Sequence, residues 1–232
     1  MSAAALGRRL AAPLREFGWW GGALYLADRA LQRLSARMRL HAYDLMVQPI
    51  VAGDLPGARL ARNLEVREIA PGAPEIAAMP VRPDAMQSRM DQRCVCLGAF
   101  RRGAMIGYMW YAQETYAEDE VRCTFVVAPA GEAVFDFDFY VYPEHRMGLG
   151  FAGLWNGANR VLRERGVRYT YSRVTRFNVA SRRAHAHLGA RRIGGALFLT
   201  CGGWQATLAS VPPYVHACGP RGAAPRLMLR PG

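Results

Sequence analysis

Residues 134–166, "VFDFDFYVYPEHRMGLGFAGLWNGANRVLRERG", change the spacing of their apolar side chains halfway along. Before Pro143, apolar and polar residues alternate, which predicts a strand with one buried face. After Gly150, apolar residues recur every three or four positions, which predicts a helix. A strand that runs through a short loop directly into a helix indicates a mixed α/β fold and makes the loop a candidate site.

The loop "HRMGLG" at residues 145–150 precedes the first backbone N–H groups of the helix, which have no carbonyl partners and lie at the positive end of the helix dipole. Such a helix start binds phosphate. Gly148 and Gly150 would let a phosphate come close to the backbone. The spacing is that of neither G-x-x-x-x-G-K-[ST] nor G-x-G-x-x-G. An ordinary tight turn is the alternative interpretation.

The other patterns predict the order of the remaining elements. "LEVREI" is a predicted strand, residues 94–112 a hairpin around "RRG", and "VRCTFVVA" a further strand. "RYTYSRVT", "NVASRRAHAHLG" and "RRIGGALFLT" predict strand, helix and strand after residue 166. We therefore divide the chain into a helical extension (1–60), a catalytic domain (61–202) and an irregular tail (203–232).

The extension contains an amphipathic helix. Its apolar face comprises Leu24, Ala27, Leu31, Leu34 and Met38, and its basic face Arg29, Arg33 and Arg37. Packing on the chain's own domain or in a homodimer is the favoured role. Peripheral membrane contact through residues 17–40, with Trp19 and Trp20 at the interface, is the alternative.

The net charge of +12 comes from a chain whose basic residues are all arginine. A basic surface attracts nucleic acid, anionic lipids or an acidic cofactor, and charge alone does not separate them. No nucleic-acid motif accompanies the charge, so we expect no such partner. The five cysteines do not have the spacing of zinc ligands, and we expect them to be buried thiols. The sequence therefore predicts no metal site. No apolar stretch is long enough to span a membrane, so we expect a cytoplasmic protein. A protein bound to the membrane surface is the alternative.

Two motifs resemble those of the Gcn5-related N-acetyltransferase (GNAT) superfamily. "DFYVYPEHRMGLG" is similar to its pyrophosphate-binding pattern Q/R-x-x-G-x-G/A after a strand ending in V-x-P, with His145 in place of Gln or Arg. "NVASRRAHAHLGA" is similar to its N-x-x-[SA]-x-x-x-Y-x-x-L-G-F element, with His185 in place of Tyr and Ala190 in place of Phe. The resemblance covers about residues 61–200.

The resemblance implies a GNAT-like acyl-CoA N-acyltransferase fold, a central, mostly antiparallel mixed sheet flanked by helices. It implies acetyl-CoA or another acyl-CoA as co-substrate, with the pyrophosphate on backbone N–H groups of residues 147–150 and the pantetheine arm beside residues 138–142. The implied binding residues are Val141, His145, Arg146, Met147, Gly148, Leu149, Gly150 and Asn178.

The same resemblance implies direct attack of an amine on the thioester in a ternary complex, with a backbone N–H of the Asp138–Val141 segment steadying the oxyanion. Asp138 is the first candidate base, and Asp136 is predicted to share its face. His185 would protonate the leaving thiolate, with Tyr140 or Tyr142 as substitutes.

The acceptor would be a small-molecule amine or a lipid- or sugar-linked amine. It would enter a groove formed by residues 79–90 and 113–120, whose acidic residues would attract a cation, although a solvated acidic loop is the alternative. A catalytically inactive GNAT-fold module that binds CoA or a partner protein is the competing functional hypothesis.

Overall fold

The computed structural model describes residues 3–55, 64–146 and 150–231. The helices are α1 (Ala3–Leu34), α2 (Pro74–Ala77), α3 (Pro83–Asp91), α4 (Gly150–Glu164) and α5 (Val179–His187). The strands are β1 (Met38–Pro49), β2 (Glu65–Ile69), β3 (Val95–Arg101), β4 (Ala104–Ala112), β5 (Thr115–Ala117), β6 (Thr124–Val127), β7 (Ala133–Val141), β8 (Tyr169–Thr175), β9 (Arg191–Cys201), β10 (Trp204–Ala209), β11 (Val215–Cys218) and β12 (Arg226–Leu229).

A nine-stranded sheet in the order β11-β10-β9-β1-β8-β7-β4-β3-β2 forms the centre of the fold. Its neighbours are antiparallel except for the parallel pair β7 and β8. A second sheet, in the order β12-β6-β5, packs its apolar side chains into one of two core clusters, and α4 packs into the other. The predicted mixed, mostly antiparallel sheet flanked by helices is confirmed.

Local sequence explains the elements around the predicted site. β3 and β4 form the predicted hairpin, whose turn places Arg102 and Gly103 at φ 52° and 82°. The predicted strand before Pro143 is β7, and the predicted helix after the loop is α4. The predicted helix after residue 177 is α5, which ends two residues before Gly189 at φ 87°.

β1 corrects the predicted boundary at residue 60. The strand lies inside the main sheet, paired antiparallel with β8 on one side and with β9 on the other. Residues 42–48 are buried on both faces of the sheet, so their sequence lacks the clear alternation by which a half-exposed strand is recognised. The helical extension therefore ends before Met38, and Met38 belongs to the sheet rather than to a helix face.

The C-terminal segment is not the irregular tail predicted for residues 203–232. It contains β10 and β11 at the edge of the main sheet and β12 in the second sheet. The Arg122 guanidinium holds this segment by donating to the carbonyls of Gly203, Gly219 and Gly222. These strands are short and separated by Gly and Pro, which made them resemble a loop.

Cys201, at the end of β9, is exposed and not buried as predicted.

Helix α1 bends sharply at Gly18, where φ is 73° and ψ is 172°. Gly22 permits the bend, because a Cβ there would lie 2.6 Å from the Leu14 Cα. The second half packs on the chain's own domain, where Asp28 accepts a 2.9 Å hydrogen bond from the backbone N–H of Leu40. Trp19 and Trp20, just after the bend, are each 81% exposed. No helix among residues 3–55, 64–146 and 150–231 is long and apolar enough to cross a membrane.

Candidate active site

A wedge-shaped cleft opens between β7 and β8. The two strands pair only where residues 133–135 lie beside residues 169–171. Beyond that point β7 pairs only with β4 and β8 only with β1, so within the described part of the chain no strand pairs with the other edge of residues 136–141. An extended ligand can add to such an edge as a further strand. The cleft lies where the sequence predicted the pantetheine arm.

A β-bulge lies in the open part of β7. Tyr108 pairs with Tyr140 and Trp110 with Phe137, so two residues of β7 face one residue of β4. Asp138, in the bulge, has φ 46°. A bulge reverses the alternation of side chains beyond it and re-aims the backbone, here at the opening of the cleft.

The bulge separates the two predicted acids. Phe135 and Phe137 pack in one core cluster, and Val134 in the other, so strand alternation places Asp136 on the Val134 side. Asp138 instead bonds Arg89, whose guanidinium lies over the ring of Phe137. The prediction that Asp136 and Asp138 share a face is wrong, because it assumed an uninterrupted strand.

Asp138 lies in a partly buried ion pair. Its Oδ2 accepts a 2.6 Å hydrogen bond from Nη1 of Arg89 in α3, a residue that is 6% exposed. The Arg89 guanidinium carbon lies 5.4 Å from the ring centre of Trp110 and 5.3 Å from that of Phe137. Arg89 thereby fixes the orientation of the carboxylate at the cleft. Sequence reasoning missed Arg89, because nothing in its local pattern indicates this contact.

Asp136 is 3% exposed, and its Oδ2 has no hydrogen-bond partner among the described residues. Burial raises the pKa of this carboxyl to about 7, and the nearby Thr170 hydroxyl and the backbone oppose the shift. The Thr170 hydroxyl stabilises the ionised form of Asp136, although Thr170 Oγ1 makes no well-formed hydrogen bond. Asp136 is therefore poised to titrate near neutral pH beneath the cleft.

The raised pKa predicts how Asp136→Asn will change stability with pH. Below about pH 4 the carboxyl is protonated in both the folded and the unfolded state, so it does not change stability. As pH rises from about 4 to about 7 the unfolded chain ionises while the buried carboxyl keeps its proton, which lowers the stability of the folded state. The variant lacks this penalty, so its stability relative to the parent should rise between pH 5 and pH 8 by on the order of 2 kcal/mol. Urea unfolding of both proteins at the two pH values measures the difference. A pH-independent difference would contradict the assignment.

The predicted phosphate loop is described only at its two ends, because Met147, Gly148 and Leu149 lie outside the described residues. At one end, Arg146 Nε donates to the Val141 carbonyl at 2.8 Å, and its guanidinium lies 5.1 Å from the Tyr140 ring centre. At the other, α4 begins at Gly150 with no acidic residue in its first turn. That helix start suits an anion.

Gly150 has a packing role beside its predicted binding role. A Cβ at this position would lie 2.9 Å from Cγ1 of Val141 and 3.1 Å from the carbonyl oxygen of His145. Glycine therefore lets α4 start directly against the end of β7. The second glycine of the motif is explained by this close approach, whether or not a phosphate binds.

Asn178 is exposed and is the N-cap of α5, where its Oδ1 accepts a 2.9 Å hydrogen bond from the Ser181 backbone N–H. Capping accounts for an Asn at this position. Its predicted contact with the pantetheine arm remains a prediction.

His185 is buried between α5 and α4. Its ring centre lies 6.4 Å from that of Phe151 and 6.2 Å from that of Trp155. Nδ1 lies 2.8 Å from the Ser181 carbonyl oxygen, so Nδ1 carries the proton and donates it there. Burial lowers the pKa of His185, and the ring is neutral at pH 7. A neutral ring whose proton is engaged is poorly suited to protonate a thiolate, which favours Tyr140 or Tyr142 for that role.

A cavity of about 770 Å³ reaches the bulge at Phe137 and Asp138. Both stretches predicted to form the acceptor groove contribute to its wall. Residues 79–90 provide Pro80, Val81, Arg82, Ala85 and Arg89, and residues 113–120 provide Tyr116, Asp119 and Glu120. The cavity thus lies beside the cleft and is lined mainly by polar and charged groups.

The acidic loop is only partly solvated. Arg173 in β8 makes two contacts with the buried Glu118 carboxylate, at 3.1 and 2.7 Å. Burial raises the pKa of Glu118, and the Arg173 charge opposes that rise. Glu120 accepts a 2.6 Å hydrogen bond from the Tyr43 hydroxyl and lies 3.2 Å from Arg173. The loop is therefore fixed at the cavity wall, while Asp119 and Glu120 remain exposed.

β1 also contributes to the cavity through His41, and to the acidic loop through Tyr43. Sequence reasoning missed both residues, since their place depends on the pairing of β1 with β8 across more than a hundred residues. Among the described residues, no group of His, Cys, Asp and Glu is arranged to hold a metal ion.

No model of a known protein family matches the chain, and neither does any curated protein. Solved structures do resemble it in fold. A tandem GNAT protein from the clavulanic acid biosynthesis pathway is 17% identical over 70% of this chain and 53% of its own, with a TM-score of 0.47. A GCN5-related N-acetyltransferase from Kribbella flavida is 16% identical over 75% and 63%, with a TM-score of 0.45.

A third structure, a GCN5-related N-acetyltransferase from Sphaerobacter thermophilus, is 13% identical over 88% of this chain and 58% of its own, with a TM-score of 0.44. The chain thus spans between 53% and 63% of the length of these three proteins. The likeness concerns the fold alone, and the GNAT resemblance continues to rest on the two sequence motifs. Because the identities and scores are low, we base the functional proposal on this chain's own residues.

Proposed function

We propose that this protein is an acyl-CoA-dependent N-acyltransferase, with acetyl-CoA as the first candidate donor. One observation carries the proposal. The bulged strand β7 separates from β8 and is followed in the chain by α4, while a polar cavity reaches the same bulge. The arrangement supports two ligands that approach the bulge by separate routes, as transfer within a ternary complex requires.

Residues of this chain fit an acyl-CoA donor at three places. The acid-free start of α4 suits the pyrophosphate, and Arg146 adds a positive charge beside it. The open edge of β7 offers unpaired backbone groups to the pantetheine arm. The bound donor would supply an activated thioester carbonyl, and backbone N–H groups at the bulge would stabilise its developing oxyanion.

Asp138 is the proposed base for the acceptor. A neutral amine is needed to form the new C–N bond as the C–S bond breaks, so the incoming ammonium group must first lose a proton. Arg89 binds Oδ2 of Asp138, and Oδ1 has no partner among the described residues, so it could face an amine in the cavity. Tyr140 or Tyr142 would return a proton to the thiolate.

The acceptor is proposed to be a cationic amine. Asp119 and Glu120 give the cavity wall exposed negative charge, which attracts a cation. The inactive binding module remains the second candidate, favoured by the engaged proton of His185 and the ion pair of Asp138.

An acceptor panel tests this proposal. Purified protein is incubated with acetyl-CoA and with amino sugars, polyamines, amino acids or lipid-linked amines, and both released thiol and acylated product are measured. Amine-dependent thiol release with a matching product supports the transferase. Binding of acetyl-CoA without transfer to any amine favours the module. Absence of binding contradicts the transferase and a module that binds CoA.

A further inference from the structure

The positive charge of the chain is concentrated near its two ends. Residues 1–40 contain seven arginines and two acidic residues, and residues 191–232 contain five arginines and no acidic residue. These two segments together therefore carry +10 of the net charge of +12. Neither segment lies in the predicted phosphate loop, so the proposed donor does not account for this charge.

The same two segments carry most of the large exposed apolar side chains. Trp19 and Trp20 follow the bend of α1 and are each 81% exposed. Trp204, Leu208 and Val215 in β10 and β11 are 67%, 55% and 70% exposed. By contrast, the other two tryptophans of the chain, Trp110 and Trp155, are each 1% exposed.

The exposed side chains of the sheet share one face. Leu208 lies opposite Val215 in β11, and on its other side opposite Leu197 in β9. Directly opposed residues point to the same side of a sheet. Gln205 and Thr207, which alternate with them, are buried on the other side. We call the side formed by Leu197, Leu199, Trp204, Ala206, Leu208 and Val215 the outer face.

Helix α1 and the outer face are neighbours. α1 ends at Leu34, which is 79% exposed, and β1 starts four residues later at Met38. Met38 pairs with Cys201 in β9, and Cys201 pairs with Trp204 in β10. The segment after the helix contacts the β9–β10 turn next to Trp204, where the Gly202 backbone N–H donates to the Arg37 carbonyl at 3.2 Å.

We propose that α1 and the outer face together dock on the surface of an anionic phospholipid bilayer. Tryptophan side chains favour the membrane interface, and a basic surface is attracted to anionic headgroups. A second copy would bring together two pairs of segments with high net positive charge, which charge repulsion opposes. Nucleic acid would satisfy the arginines but would leave aliphatic Leu208 and Val215 exposed to water. The proposal does not depend on the acyltransferase activity.

Vesicle flotation of the full chain tests this proposal. We expect the parent to float with vesicles of phosphatidylcholine and phosphatidylglycerol, to float much less with phosphatidylcholine alone, and to lose binding as salt rises. Trp19→Ala/Trp20→Ala and Trp204→Ala/Leu208→Ala should each reduce binding by at least about tenfold. Val51→Ala, an exposed apolar residue outside both segments, is the matched control and should bind like the parent.

Three results would overturn the proposal. The first is equal or absent binding to both vesicle types. The second is unchanged vesicle binding by either double variant, which would show that the segment it alters does not contact the membrane. The third is a stable dimer in sedimentation that Trp204→Ala/Leu208→Ala dissociates, which would assign the outer face to a second copy. Because the replaced side chains are exposed, we expect circular dichroism to show that both variants fold.

Discussion

Replacing Asp138 with Asn should lower the rate of acyl transfer by at least about 100-fold, because an amide cannot take the proton of the acceptor. The shape of the side chain and its contact with Arg89 are largely kept, so acetyl-CoA affinity should stay within about threefold of the parent. The measurements are kcat with an amine found in the acceptor panel and Kd by calorimetry.

Asp119→Asn is the matched control, since Asp119 lines the same cavity but is exposed and lies outside the bulge. It should change KM for a cationic amine more than kcat. Because Asp138→Asn also leaves the buried Arg89 without its counter-charge, thermal unfolding is measured for both variants. Near-parental kcat in a folded Asp138→Asn protein would rule out Asp138 as the base.

Asp44→Asn should destabilise the protein by about 3 kcal/mol. Asp44 is 2% exposed and accepts from Nε of Arg176 at 3.0 Å and of Arg192 at 2.8 Å, while Arg182 lies 3.0 Å from its second oxygen. One carboxylate of β1 thus ties together the end of β8, helix α5 and the start of β9. Without this carboxylate, the three arginines lie close together with no negative charge between them. Their partial exposure to water limits the loss of stability.

Urea unfolding measures this effect, with Asp91→Asn as the control. Asp91 is exposed and accepts from Gln87 one turn away, so its replacement should change stability by no more than about 0.5 kcal/mol. Equal stabilities of the two variants would mean that the Asp44 cluster contributes little, and that β1 is held by its strand pairing alone.

The parts of the fold that sequence predicted are those whose signal is local. The alternation before Pro143, the glycine turn at Gly103 and the helical spacing after Gly150 each arise within a few residues, and the structure has β7, the β3–β4 hairpin and α4 there. β1 could not be predicted, because it is buried on both faces and its partners lie more than a hundred residues away.

The candidate site divides in the same way. Asp138 and the loop glycines were predicted from a motif, whereas Arg89, Tyr43 and Arg173 reach the cavity or its wall through tertiary packing. The bulge at Asp138 cannot be recognised in the sequence "VFDFDFYV", whose alternation is regular. The one extra residue places Asp136 and Asp138 on opposite faces of the sheet, where the sequence predicted a shared face. Motif matching therefore located the cleft, and only the fold could say which acid faces the cavity.

Isothermal titration with acetyl-CoA and with CoA tests the central claim most directly. The parent is compared with Gly148→Glu, whose side chain would block and repel a pyrophosphate, and with Ala77→Glu, which adds the same charge at an exposed position of α2. We predict binding in the micromolar range by the parent and Ala77→Glu, and its loss in Gly148→Glu. Absence of binding by the parent, or equal binding by all three proteins, would contradict an acyl-CoA site at this loop.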